Sequence, residues 1–323
     1  MNRHLEAFLM MLPYKFLRLM VLVALSTTLA GPNAMAQATA PAETPKADTP
    51  SSTPAGQEDL GAIAKKLNNP LGNVWALQFE FDWTMVDGDL VDGHEDNYAI
   101  LFQPILPIPL TREWNILSRP VVPLLSAKAP DFDQVQRDID FDDRETGLGD
   151  IVLPLLLTPA KPEGHWQFGA GPSFIFPTAT EDLFESGKWS AGPAGVAVYK
   201  SEKITAGGLA QYWWDYAGWG DSAVSKGSLL YFFWYMFPGE EHWQIGMNPT
   251  ITYNHMADSD NQWNVPIGLT AGRMFKFGKL PVKIQAGVDY SVINQDDYGN
   301  EWKFKLLFTP VIPGLIDKPL FEW

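Results

Sequence analysis

The stretch Glu301-Trp302-Lys303-Phe304-Lys305-Leu306-Leu307-Phe308-Thr309 alternates with a period of two. Successive side chains of an extended strand point to opposite faces. Trp302, Phe304, Leu306 and Phe308 therefore share one face, and Lys303, Lys305 and Thr309 the other. An apolar face with aromatic residues at its ends, backed by a polar face, is what a strand in a membrane barrel requires. Lipid meets one side, and water or packed polar groups meet the other.

The same code recurs upstream. Trp75, Leu77, Phe79, Phe81 and Trp83 alternate with Ala76, Gln78, Glu80, Asp82 and Thr84. Trp243, Ile245, Met247, Ile251 and Tyr253 alternate with Gln244, Gly246, Asn248, Thr250 and Thr252. Val282, Ile284, Ala286, Val288 and Tyr290 alternate with Lys283, Gln285, Gly287, Asp289 and Ser291. Trp166, Phe168, Phe174 and Phe176 oppose Gln167, Gly169, Gly171 and Ser173, and Ile151, Leu153, Leu155 and Leu157 oppose Asp150. Segments at 98–104, 114–125 and 263–271 also read as strands, and those at 189–199, 204–216 and 227–237 are noisier. From residue 73 the chain divides into about twelve segments of the roughly 9–11 residues that a tilted membrane strand needs.

The connections alternate in length. Long polar ones fall at 86–96, 127–146, 178–188, 217–223, 256–261 and 294–300, and short ones at 107–111, 160–164, 200–203, 238–241 and 276–280. Bacterial barrels have an even strand number, short periplasmic turns, long outer loops and both termini inside. A soluble sandwich has no reason to keep this alternation in phase. The expectation is an all-β, transmembrane antiparallel barrel over 73–312. Against it stand Pro104, Pro120, Pro123, Pro154, Pro172, Pro193, Pro249 and Pro266, each of which removes a ladder donor. They are expected at bulges or strand ends.

Composition agrees. The chain has 323 residues, 13 Trp and no Cys, which removes thiolate chemistry and disulfides and suits passage through an oxidising periplasm. Mean hydropathy is only -0.10, too low for a helical membrane protein. The net charge of -15 argues against a nucleic-acid partner, since phosphate neutralisation needs Lys and Arg.

Residues 1–36 read as a signal peptide: Lys15 and Arg18 precede the apolar run from Leu19 to Leu25, and Ala34-Met35-Ala36 offers the cleavage site. Residues 37–57, rich in Ala, Pro, Thr and Ser, read as a disordered linker. Residues 58–72 contain a short helix with Leu60, Ile63, Ala64 and Leu67 on one face. Packing against the base of the barrel is the commoner arrangement and the expectation here; insertion into the lumen as a plug is the rarer one. Residues 313–323 form a C-terminal tail ending in Phe321-Glu322-Trp323.

By alternation the lumen is expected to be lined by Gln78, Glu80, Asp82, Arg119, Asp150, Gln167, Gln244, Asn248, Lys283, Gln285, Asp289, Lys303 and Lys305. If the last segment closes on the first, Lys303 and Lys305 lie near Glu80 and Asp82. Such a seam could be a charged constriction that sets selectivity or a ladder of compensating pairs that stabilises closure; the two are compatible. The pair Glu80 and Asp82 resembles an acid–base couple, but barrel interiors commonly hold such residues, and no catalytic site is expected. A lipid-active enzyme would need a Ser–His pair on the outer wall. His165 and His242 fall at short turns and His94 and His255 at loops, with His255 the only candidate near the outer interface. In the long loops Asp138, Asp140, Asp142 and Asp143 are weak candidates for Ca²⁺ or Mg²⁺, solvated loops being the simpler reading. No cofactor is expected.

Several segments resemble a known family. They are Ala64-Lys65-Lys66-Leu67-Asn68-Asn69-Pro70, Gly147-Leu148-Gly149-Asp150-Ile151, Thr158-Pro159-Ala160-Lys161-Pro162, Phe176-Pro177-Thr178-Ala179-Thr180 and Ser186-Gly187-Lys188-Trp189-Ser190-Ala191-Gly192-Pro193. They look like bacterial outer-membrane proteins grouped as "MetA-pathway of phenol degradation" and as a β-barrel porin family, chains often labelled transporter. The resemblance runs from the short helix to the last strand. It implies an outer-membrane barrel that passes small, hydrophobic or aromatic compounds. Expected partners are outer-membrane lipid and lipopolysaccharide, the barrel-assembly machinery and small solutes, with both termini periplasmic. The competing readings are a closed structural or adhesion barrel and an outer-membrane lipid-active enzyme.

Overall fold

The computed structural model describes residues 60–321 apart from 70, 73, 92, 134–137, 163, 220–222, 240–241 and 317. The expected signal peptide and linker lie outside the described residues, as does Trp323. One short helix, α1 (Leu60–Asn68), precedes fifteen strands among the described residues. These are β1 (Ala76–Asp87), β2 (Glu95–Pro109), β3 (Trp114–Ser118), β4 (Val122–Asp133), β5 (Asp138–Leu148), β6 (Ile151–Pro159), β7 (Trp166–Phe176) and β8 (Lys188–Lys200). There follow β9 (Ile204–Gly218), β10 (Ser225–Met236), β11 (Trp243–Met247), β12 (Thr250–Asn254), β13 (Trp263–Phe277), β14 (Leu280–Ile293) and β15 (Gly299–Pro310).

Three pairs of these strands are single staves interrupted for two or three residues. β3 and β4 are parted at Arg119–Val121, β5 and β6 at Gly149–Asp150, and β11 and β12 at Asn248–Pro249. Counted as staves they make a closed antiparallel barrel of twelve. β1 pairs with β2 on one side and with β15 on the other, so the first and last staves shut the cylinder. No helix among the described residues is long and apolar enough to cross a membrane.

The wall is apolar outside and polar within. In β1 Ala76, Gln78, Asp82, Thr84 and Val86 are buried, while Leu77, Phe79, Phe81, Trp83 and Met85 occupy the other face. On the outer surface Phe168, Leu269, Ile267 and Val292 are each more than half exposed. In water such a surface would be costly; in lipid it is the preferred one. Aromatic residues gather at both ends of the staves. Trp114, Trp166 and Trp243 stand exposed near the short turns, and Trp189, Trp214 and Trp263 near the long loops.

Three of the eight prolines lie at stave breaks or a bulge, as expected, and the other five are paired within strands. Pro120 and Pro249 sit at stave breaks, and Pro266 sits at a bulge against β14. Their carbonyls stay in use: Pro249 O accepts from Tyr231 N at 3.2 Å, and Pro266 O from the Tyr231 hydroxyl at 2.7 Å. Pro172 faces Pro193 across β7 and β8, so two missing donors coincide. Pro104, Pro123 and Pro154 stay inside ladders, opposite Leu77, Leu101 and Ser173.

One expectation is corrected. Residues 127–146 are not an irregular loop: β4 continues to Asp133 and β5 begins at Asp138, so the two staves extend into a hairpin. The cause is in the residues. Asp131-Phe132-Asp133 and Asp138-Ile139-Asp140-Phe141 alternate with the strand period. The side chains of Asp138, Asp140, Asp142 and Asp143 lie outside the described part of the molecule.

Candidate functional site: the barrel interior

Where the chain leaves α1 it turns sharply into β1. Asn69 Oδ1 accepts from Leu71 N at 3.0 Å, and Gly72 N donates to Asn69 O at 2.9 Å. A Cβ on Gly72 would stand 2.4 Å from Lys66 O, so only glycine fits there. This turn carries α1 into the lumen, contrary to the expectation that it packs on the base. Asn68 Nδ2 donates to Gln244 Oε1 at 2.5 Å, and Asn69 Nδ2 to Gln167 Oε1 at 2.6 Å. Lys283 Nζ donates to Asn68 Oδ1 at 2.6 Å. Gln167 belongs to β7 and Lys283 to β14, the fifth and eleventh staves of twelve, on opposite walls of the barrel. The end of α1 at Asn68 and the turn residue Asn69, tied to Lys283 and Gln167 respectively, together bridge the bore. Ile63 and Ala64 pack on Met274, with Leu60, Leu67, Met236 and Val311 around them.

The tail lies at the same end. Leu320 N and Phe321 N donate to Pro109 O and Leu110 O, each at 3.0 Å, and so tether the tail to the end of β2. A cavity of about 490 Å³ remains there, lined by Lys66, Trp75, Arg112, Asn115, Ile312 and Ile316 among others.

Deeper in the bore, one arc of the wall is charged. Lys305 Nζ meets Asp289 Oδ2 at 2.7 Å, with both side chains almost wholly buried. Lys303 Nζ meets Asp82 Oδ2 at 3.3 Å. Gln103 Nε2 donates to Glu80 Oε2 at 3.1 Å, and Arg119 Nη2 donates to Gln103 Oε1 at 2.8 Å. The register puts Lys305 directly opposite Asp82 and Lys303 opposite Asp289. Each lysine thus pairs diagonally with the carboxylate on its other flank: Lys303–Asp82 crosses the closing seam from β15 to β1, and Lys305–Asp289 joins β15 to β14. Diagonal reach of this kind is within range for long side chains on a twisted sheet. Gly287 makes the space: a Cβ there would stand 2.3 Å from Thr270 Oγ1 and 3.0 Å from Lys305 Cε.

The opposite arc carries an apolar cluster among buried uncharged polar side chains such as Ser173, Ser190 and Thr205. Ile105, Leu117, Leu156, Val196, Val198, Leu209, Phe232 and Trp234 are buried in one cluster with Leu71 from the turn after α1. Lys283 joins the two arcs, its Nζ lying 4.9 Å from the Trp234 ring centroid. None of these inward apolar residues is predicted from sequence. They come largely from staves whose both faces are apolar, where alternation gives no phase; that loss of phase was itself the available signal.

The other predicted residues fall as follows. Gln78 and Gln285 are buried on the inner face. Asn248 is half-buried at the break between β11 and β12. Asp150 holds a loop: its carboxylate accepts from Thr178 N at 3.1 Å, Ala179 N at 3.2 Å, Ser186 N at 3.1 Å and the Ser186 hydroxyl. His165 Nδ1 lies 2.8 Å from Lys200 O, and His255 Nδ1 lies 3.0 Å from the Tyr253 hydroxyl.

A crystal structure of an outer-membrane channel from Pseudomonas putida F1 is similar at TM-score 0.51 and 14% identity, over 74% of this chain and 94% of that one. At that identity the likeness shows the fold: that of outer-membrane barrels. The NanC porin (TM-score 0.42, 9% identity, 73% of this chain and 99% of that one) and a Pseudomonas aeruginosa FadL homologue (0.31, 10%, 76% and 92%) are more distant. No curated protein matches the chain. The model of the family described as "MetA-pathway of phenol degradation" matches residues 64–294, most of the helix-and-barrel unit, and the chain belongs to that family.

Proposed function

We propose that the protein is a channel of the bacterial outer membrane, with both termini periplasmic and the long loops outside, and that α1 regulates passage of small solutes through it. The observation that carries the reading is a closed barrel whose bore holds a charged arc beside an apolar one, with α1 across the short-turn end. The inner wall also keeps polar atoms without a protein partner, among them Asp82 Oδ1, Asp289 Oδ1 and Gln285 Nε2. Buried polar atoms are ordinarily met by water, which favours a hydrated path. Small aromatic solutes bearing a polar group suit a bore with one apolar and one charged side. The name of the family, with its reference to phenol, points the same way.

The test is conductance of the refolded chain from Gln37 onward in a planar bilayer, with reversal potentials under a salt gradient, beside a variant lacking residues 58–69. Small or intermittent currents from the longer chain and steady currents from the deletion variant are expected. Silence from both, with folding verified by heat-modifiable mobility, would favour a closed structural barrel instead. That rival draws on the same observation, since α1 and the apolar cluster fill part of the bore.

A further inference from the structure

We propose that Asp87, His94 and Glu301 form a binding site for one transition-metal dication of the Zn²⁺ type at the long-loop rim, clipping the seam where the barrel closes. The three residues come from adjacent staves. Asp87 ends β1, His94 immediately precedes β2, and Glu301 is the third residue of β15. One ligand atom from each lies within 4.8 Å of the others, and His94 Nδ1 is 4.0 Å from Asp87 Oδ1.

Two features of the backbone bring them together. Val86 pairs with Glu95, so Asp87 and His94 are the next cross-strand neighbours beyond the ladder. Between β1 and β15 the register runs from Met85↔Trp302 to Val86↔Asn300, which leaves Glu301 as the extra residue of a bulge. Unbroken pairing would put Glu301 opposite Val86, on the face away from Asp87. A bulge re-aims a side chain in this way.

The frame is fixed from behind. Asp89 N donates to Asp296 O at 2.7 Å and Leu90 N to Asp297 O at 3.1 Å, so the first and last long loops are bonded together. Gly88, at φ 148°, permits the approach: a Cβ there would stand 2.3 Å from Asp297 O. Asn261 bonds Asp297 twice, through Nδ2 to Oδ2 at 2.7 Å and through Oδ1 from the Asp297 amide at 2.9 Å, adding a third loop. Gly88 N donates to Asp87 Oδ1 at 2.9 Å and orients that carboxylate.

The donor set selects the class of ion. One imidazole nitrogen and two carboxylates suit Zn²⁺ and its neighbours in the first transition row, whereas Ca²⁺ and Mg²⁺ favour oxygen throughout. Bond lengths of about 2.0–2.2 Å need the ligands roughly 1 Å closer than they stand, within the reach of side-chain rotation in Glu301. The two carboxylates balance the charge of the ion, and an open fourth position is left for water.

The experiment is calorimetric titration of the refolded chain from Gln37 with ZnCl₂ in detergent, beside His94→Ala, Glu301→Gln and His255→Ala, all shown to be folded by heat-modifiable mobility. One tight equivalent is expected in the parent and in His255→Ala. Its Kd should rise at least tenfold in each of the other two variants. Zn²⁺ should also raise the urea midpoint of the parent and leave His94→Ala unmoved. The proposal is overturned if His94→Ala or Glu301→Gln binds as tightly as the parent, if His255→Ala loses the tight equivalent, or if CaCl₂ competes at equal concentration. None of these readings depends on whether the barrel conducts.

Discussion

The two arcs of the bore solve the same problem by opposite means. Both must fill the inside of a cylinder whose outside is in contact with lipid. The arc of β14, β15, β1 and β2 does so with paired charges. The arc from β3 to β10 does so with Leu117, Leu156, Val196, Leu209 and Trp234, packed like the core of a soluble domain. The first arrangement is specific and fragile, because a charge that loses its partner stays buried. The second is tolerant, because a lost methyl group leaves a cavity and nothing worse. The closing seam falls in the specific arc, where register has to be unambiguous.

The sharpest way to break this comparison is Lys305→Met, which leaves Asp289 unpaired where both side chains are almost fully buried. Breaking a buried pair of this kind costs about 3–5 kcal/mol. We expect a large drop in the urea midpoint, followed by tryptophan fluorescence in lipid vesicles, and recovery of most of it in the double variant with Asp289→Asn. An equal loss in the double variant would mean that the pair is not the unit of stability. Next comes Leu156→Ala in the apolar arc, expected to cost about 2–4 kcal/mol by transfer and cavity terms while leaving the reversal potential unchanged. A shift in ion selectivity would show that the apolar arc shapes the path of ions.

Smaller effects sharpen the division. Gly287→Ala should destabilise by about 1–3 kcal/mol through overpacking against Thr270 and the stem of Lys305. Combining it with Lys305→Ala should cost less than the sum of the two, measured as a double-mutant cycle. Lys303→Met should cost about 1–3 kcal/mol, less than the loss of Lys305, because water reaches the lysine, which is about a third exposed, although Asp82 stays buried without its partner. Its reversal potential should nonetheless move toward cation preference. No movement would place Lys303 outside the ion path.

What the sequence made legible follows the same line. In β1 and β15 polar and apolar residues alternate almost throughout, Leu307 being the exception on the lysine face, so parity and closure alone bring the lysines beside Glu80 and Asp82; that Lys305 pairs instead with Asp289 follows from the register of β14. In β8, β9 and β10 both faces are apolar, and nothing in Val196, Val198, Leu209 or Phe232 says which side is inward. The amphipathic pattern of α1 reveals that Leu60, Ile63 and Leu67 need cover, but not that the cover lies inside the bore. That depends on Gln167, Gln244 and Lys283, whose joint position is a property of the closed barrel. Asp150 reads as a lumen residue by alternation, yet the stave break at Gly149 frees it to bond the loop at 178–186. The bulge at Glu301 is likewise invisible before pairing is known.

The contacts of α1 also set an order of events. The helix precedes every stave in the chain, yet the side-chain partners of Asn68 lie 176 and 215 residues further on, and that of Asn69, just past the helix, 98. It is the first part of the folded unit to be synthesised and among the last to find its place. Contacts of such sequence separation form slowly. Until β14 has docked, the apolar stripe of α1 has no barrel interior to enter, and something other than the barrel must shield it during transit.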